Sequence, residues 1–123
     1  MRTYRIRPLP LTLMEVDMPI FTFGMNYGRK IRIPLYSWYI EGADDCILVD
    51  TSADAKMATD FRGLPAEKIA SFEDALAGVG LKPGDINLVI QTHLHWDHCG
   101  NTFKCKQAKV VAVSYTHLTL PTN

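Results

Sequence analysis

An apolar run at residues 86–90 leads through Gln91-Thr92 into His93-Leu94-His95-Trp96-Asp97-His98, and no other stretch constrains this chain so tightly. A short apolar run of this kind reads as a buried strand. In an extended segment, residues two apart point to the same side, roughly 6–7 Å from each other. His93 and His95 can therefore converge on one divalent cation. Asp97 and His98 follow where the chain must turn, and can face the other way, toward a second cation about 3.5–4 Å from the first. Nitrogen and oxygen ligands of this kind suit zinc, and also iron, manganese or cobalt. The competing reading is three surface histidines in a polar loop. Three of the chain's four histidines fall in this one hexapeptide, which argues for a metal loop.

The hexapeptide resembles the His-x-His-x-Asp-His signature of the metallo-β-lactamase superfamily. The likeness extends backward. Cys46-Ile47-Leu48-Val49-Asp50-Thr51 is similar to that family's buried strand ending in Asp-Thr, and residues 33–40 to the strand before it. Residues 80–86 are similar to the link from helix to strand that leads into the metal loop. The resemblance covers roughly residues 3–112. Its long first segment and its His-Leu-His-Trp-Asp-His wording look most like the N-acyl-homoserine lactonase branch. One departure is Ser52, where the family usually has Gly after Asp-Thr.

The resemblance implies an α/β fold, the N-terminal half of an αββα sandwich of two similar halves. It implies two divalent metal ions in the complete protein and a small-molecule substrate. The family completes its metal pair with a His, a bridging Asp and a last His, all downstream of the signature. After His98 this chain contains no Asp or Glu. It is thus expected to carry the first half of a site.

Length and composition are those of one globular domain: 123 residues, 47% hydrophobic and 21% charged. Formal net charge is zero, and Arg2, Arg5, Arg7, Arg29, Lys30 and Arg32 are interspersed with apolar residues. That disfavours nucleic acid as a partner, because phosphate binding rests on Lys and Arg. The start lacks the apolar core of a secretory signal, and no stretch approaches the roughly 20 apolar residues of a membrane span. Three cysteines without paired spacing fit reduced thiols, hence a cytoplasmic protein. Cys99 adjoins the metal loop, where a small packed side chain is favoured over a ligand.

Alternation predicts a first strand over residues 3–15, bent near Pro8 and Pro10, then a strand pair at 31–41 and 46–50 joined by a turn at 42–45. Residues 18–29 are irregular and aromatic. They either cover a sheet edge or wall a substrate pocket. A helix is predicted from about 65 to 79, with Ile69, Phe72, Leu76 and Val79 as its apolar stripe and Gly80 past its end. Residues 53–64 are ambiguous. Strands are predicted at 87–92 and 108–112, with a short helix opening at 100–103.

Residues 113–123 resemble the translation of a sequencing-library adapter, so the tail is expected to be non-native and His117 to have no ligand role. The domain is then residues 1–112. Its expected chemistry is hydrolysis of a lactone of the acyl-homoserine type. His93 and His95 are expected on one metal and Asp97 and His98 on the other. Asp97 is expected to shuttle the proton to the leaving alkoxide rather than serve as a ligand alone, and Asp50 to fix a ligand histidine by a hydrogen bond rather than only cap the turn. Trp96 is expected to pack inward, while Thr92 and Asn101 either buttress the loop or serve ordinary turns. The alternatives are another ester, thioester or β-lactam substrate, or, for the chain as it stands, an inactive fragment with weak metal retention and poor solubility.

Overall fold

The structure is a computed structural model that describes residues 1–112. Its frame is a six-stranded mixed sheet. Strands β1 (Arg5–Asp17) and β2 (Lys30–Glu41) form a long antiparallel ribbon. Strand β3 (Ile47–Thr51) pairs antiparallel with β2. Strands β5 (Leu88–Gln91) and β6 (Lys109–Ala112) extend the sheet in parallel beyond it. At the other edge, β4 (Ala66–Lys68) closes against β1.

Strand β1 keeps one face buried although its sequence breaks strict alternation. Leu9, Leu11, Thr12, Met14 and Val16 are all buried. The register against β2 slips between Pro10 and Thr12, leaving Leu11 as the extra residue of a bulge. A bulge sets two residues against one on the partner strand. Leu11 and Thr12 therefore both reach the core, and the pattern resumes at Met14.

The helix expected over residues 65–79 is shorter. Residues 66–68 are β4, and helix α2 spans Phe72–Ala77. The amides of Ile69 and Ala70 donate to the Leu11 carbonyl at 2.8 and 3.1 Å, which commits this segment to the sheet. Ser71 then starts the helix as its N-cap, its hydroxyl accepting from the Asp74 amide at 3.0 Å. Ile69 consequently leaves the stripe and is 48% exposed, while Phe72 and Leu76 are fully buried. The ambiguous segment forms helix α1 (Ala55–Arg62), which stops at Gly63 in the left-handed region, at φ 64°.

The helices cover one sheet face. Beneath α2 lie Leu9, Leu11, Leu48, Ile86 and Val89. Beside α1 lie Met14, Val16 and Leu35. On the opposite face, register aligns Pro8, Trp38, Val49, Ile90 and Val111 in one apolar row and Ile6, Ile40, Ile47 and Leu88 in another. Every residue of both rows is partly or largely exposed. Among the described residues nothing buries this face, and no helix is long and apolar enough to cross a membrane.

The ribbon also overhangs. Ser37 pairs with Thr51 at the end of β3, and residues 30–36 of β2 continue past it. The carboxyl ends of β3 and β5 therefore open beside a wall made by β2.

Candidate metal centre

Strand β3 ends in a bulge of its own. Trp38 pairs with Val49 and Ser37 with Thr51, so Asp50 has no partner across the ladder. Its φ is 56°, a left-handed conformation that Asp tolerates better than most side chains do. The Ser37 hydroxyl donates to the Asp50 carbonyl at 2.7 Å, which satisfies the buried group that the bulge frees. The Asp50 carboxylate meets the loop after β5. Its Oδ1 accepts from the Thr92 amide at 2.8 Å, and its Oδ2 accepts from the Thr92 hydroxyl at 2.7 Å. His98 Nδ1 also lies 2.7 Å from Oδ2.

After β5 the chain is irregular until the single turn of helix α3 (Trp96–Cys99). The amides of His98 and Cys99 donate to the His95 carbonyl at 2.9 and 3.1 Å. This turn brings His98 back beside His93. Their ring centroids are 4.0 Å apart, and those of His93 and His95 are 4.6 Å apart. An extended segment would turn His98 away from His93; because the chain coils at Trp96, the two rings are neighbours instead. Asp97 Oδ2 stands 3.6 Å from His98 Nε2.

Gly100 lets this turn press on the end of β3. A Cβ there would stand 2.9 Å from the carbonyl oxygens of Ser52 and Trp96. Asn101 follows as a buttress. Its side-chain amide donates to the Thr51 carbonyl at 3.1 Å and to Asp54 at 3.2 Å, and its backbone N–H donates to the Thr51 hydroxyl at 3.2 Å. Cys99 points its thiol to the Leu94 carbonyl at 3.6 Å. Trp96 packs against the cluster of Met14, Val16 and Leu35, inward as the sequence suggested.

Burial alone raises the Asp50 carboxyl, but hydrogen bonds from His98 and Thr92 outweigh it and hold the group below the ordinary carboxylate range. The same bond raises His98. Burial lowers His93, with His98 and His95 adding repulsion. The loop therefore holds imidazoles in different electrostatic settings within one cluster.

The donor chemistry fits a divalent cation. Two ligands of a tetrahedral zinc, each about 2.0–2.1 Å from it, stand about 3.4 Å apart. The 3.6 Å between Asp97 Oδ2 and His98 Nε2 is close to that spacing. Among the described residues, however, no three His, Cys, Asp or Glu side chains converge into a finished ion cage.

Beside Asp97 and His98 lies a cleft of about 310 Å³, walled chiefly by Phe21, Leu35, Tyr36 and Trp38. In the sequence, Tyr36 and Trp38 read only as strand residues. Their spacing of two, which places both on one strand face, was the available signal. Their rings lie 5.0 Å apart.

Residues 33–122 match the model of the metallo-beta-lactamase superfamily. The chain is 27% identical over 94 residues to the probable metallo-hydrolase YybB of Bacillus subtilis (strain 168), covering 76% of this chain and 36% of that protein. Its fold is similar to that of a quorum-quenching N-acyl homoserine lactone hydrolase, with TM-score 0.70 and 22% identity over 89% of this chain and 46% of that one. It is also similar to a B. thuringiensis AiiA mutant solved with N-decanoyl-L-homoserine at its active site, with TM-score 0.67 and 21% identity over 89% and 47%. The chain thus spans about a third of the curated relative and about half of the solved structures.

Proposed function

The chain belongs to the metallo-beta-lactamase superfamily and forms the N-terminal part of its fold, and from that premise we propose that its metal loop is one half of a dinuclear hydrolytic centre for a lactone of the acyl-homoserine type. The observation that carries this reading is the grouping at one sheet end of His93, His95 and His98, with Asp97 beside His98 and Asp50 behind it. Bound divalent cations, zinc foremost, would supply an acidified water and a polarised carbonyl.

The chain's own residues do the rest. His93 and His95 would hold one cation, Asp97 and His98 the other. Asp50 accepts the Nδ1–H of His98, which leaves Nε2 as the donor nitrogen and fixes the ring plane. Asp97 takes the proton that the attacking water loses as its oxygen bonds to the lactone carbonyl carbon, and delivers it to the alkoxide oxygen freed when the ring C–O bond breaks. The apolar wall of Phe21, Tyr36 and Trp38 beside Asp97 favours a substrate with an acyl chain over a small polar ester. The similarity to structures of lactone hydrolases supports this choice at the level of fold.

A second reading applies to these 123 residues alone: an inactive half-domain. The exposed apolar sheet face favours it. The proposal includes the tail at 113–123, outside the described residues, as non-native sequence.

The test is to sequence the genome across codons 112–123 and beyond, express the protein so defined, and assay it with zinc. Ring opening of N-decanoyl-homoserine lactone, lost in His98→Ala, is the expected result. Turnover of a thioester or a β-lactam without any lactone turnover would overturn the substrate.

A further inference from the structure

We propose that Thr92 is a positioning residue which extends the control of Asp50 to His93, so that one buried carboxylate sets the tautomer of two imidazoles. The purpose of that control rests on the metal-site reading above; the hydrogen-bond logic does not. Thr92 has a single hydroxyl proton and two neighbours for it, Asp50 Oδ2 at 2.7 Å and His93 Nδ1 at 3.0 Å. An ionised carboxylate only accepts. The hydroxyl proton therefore goes to Asp50, and toward His93 the Thr92 oxygen can only accept. His93 Nδ1 must then carry the ring proton, which leaves the lone pair on Nε2.

The same carboxylate oxygen meets His98 Nδ1 at 2.7 Å and imposes the same tautomer there directly. His93 and His98 thus present matching Nε2 donors from rings 4.0 Å apart, one held at first hand and the other through a hydroxyl. The Thr92 amide, at 2.8 Å from Oδ1, fixes the hydroxyl's position relative to the carboxylate. His95 has no such bond among the described residues, so its ring is free of this control. A Thr that only closed the strand end would need its backbone N–H and not its hydroxyl.

The experiment is nitrogen-15 NMR of the histidine rings in the metal-free protein expressed from the full genomic reading frame, in alkaline buffer, for wild type, Thr92→Val, Thr92→Ser and Asp50→Asn. Valine keeps the shape and the backbone N–H and removes only the hydroxyl. The proposal expects Nδ1–H at His93 and His98 in wild type and in Thr92→Ser. In Thr92→Val, His93 should shift largely to Nε2–H while His98 does not move. In Asp50→Asn both rings should lose their fixed tautomer. Nδ1–H retained at His93 in Thr92→Val, or Nε2–H there in wild type, overturns the proposal. Cobalt(II) affinity is a separate readout, with a loss of about tenfold to a hundredfold expected in Thr92→Val and rescue by Thr92→Ser. Absence of cobalt binding by wild type would sink the metal reading alone and leave the tautomer result standing.

Discussion

Asp50 Oδ2 and His98 Nδ1 meet at 2.7 Å although 48 residues separate them in the chain. The contact ties the bulged end of β3 to the helical turn after β5. Asp50 is 3% exposed and gathers three donors: the amide and hydroxyl of Thr92, and His98. Replacing it with Ala leaves those donors facing a void. Asp50→Ala should lower stability by about 2 kcal/mol in urea unfolding, and Asp50→Asn should lower zinc affinity about tenfold to a hundredfold by competition with a chelating dye. Unchanged zinc affinity in Asp50→Asn would remove its orienting role.

Ser52 sits at φ 56°, and its buried hydroxyl has no partner among the described residues. Glycine would adopt that backbone freely, and loss of the hydroxyl would remove an unpaired buried group. Ser52→Gly should therefore raise stability by about 1 kcal/mol or more. Ser52→Ala keeps the Cβ and separates the two effects. Thermal unfolding of the three proteins measures both, and a less stable glycine variant would refute the strain argument.

Cys105 is nearly fully buried, and burial pushes its thiol up to about 11. In the unfolded chain a thiol ionises at about 8.5. Between these values the unfolded state binds fewer protons, so stability falls as pH rises, by up to about 3 kcal/mol. Urea midpoints across this range should decline less in Cys105→Ala than in wild type. Identical slopes would show that the thiol is not the cause.

The exposed rows through Val49 and Ile90, and through Ile40 and Ile47, form a contiguous apolar sheet face. Such a surface drives association. The chain should sediment as aggregates or oligomers, and the pair Val49→Thr with Ile90→Thr should increase the monomer fraction. A soluble wild-type monomer holding two metals tightly would contradict the half-domain reading.

Much of this architecture was legible because period-two patterning and turn residues are local signals. The strand at 46–50 and the strand before the histidines follow from runs of Ile, Leu and Val, and the turn at 42–45 from Gly42-Ala43-Asp44-Asp45. Residues 65–71 read as helix because Ile69 satisfies a helical period, whereas its amide is taken by Leu11, 58 positions earlier. Pairing with so distant a residue leaves no local trace. The same holds for the site. His93, His95, Asp97 and His98 stand out by their density. That Thr92 joins Asp50 to His93, or that Tyr36 faces the cleft beside Asp97, depends on which strand ends the sheet brings together.

A histidine loop built to hold a divalent cation must bind one, and cobalt(II) titration of the chain, followed by its visible absorption, reads that binding. Saturable binding with the bands of nitrogen and oxygen ligation is expected, weakened in Asp97→Asn and abolished in His93→Ala with His98→Ala. A wild-type chain that binds no cobalt, or binds it equally after both histidines are removed, would contradict it.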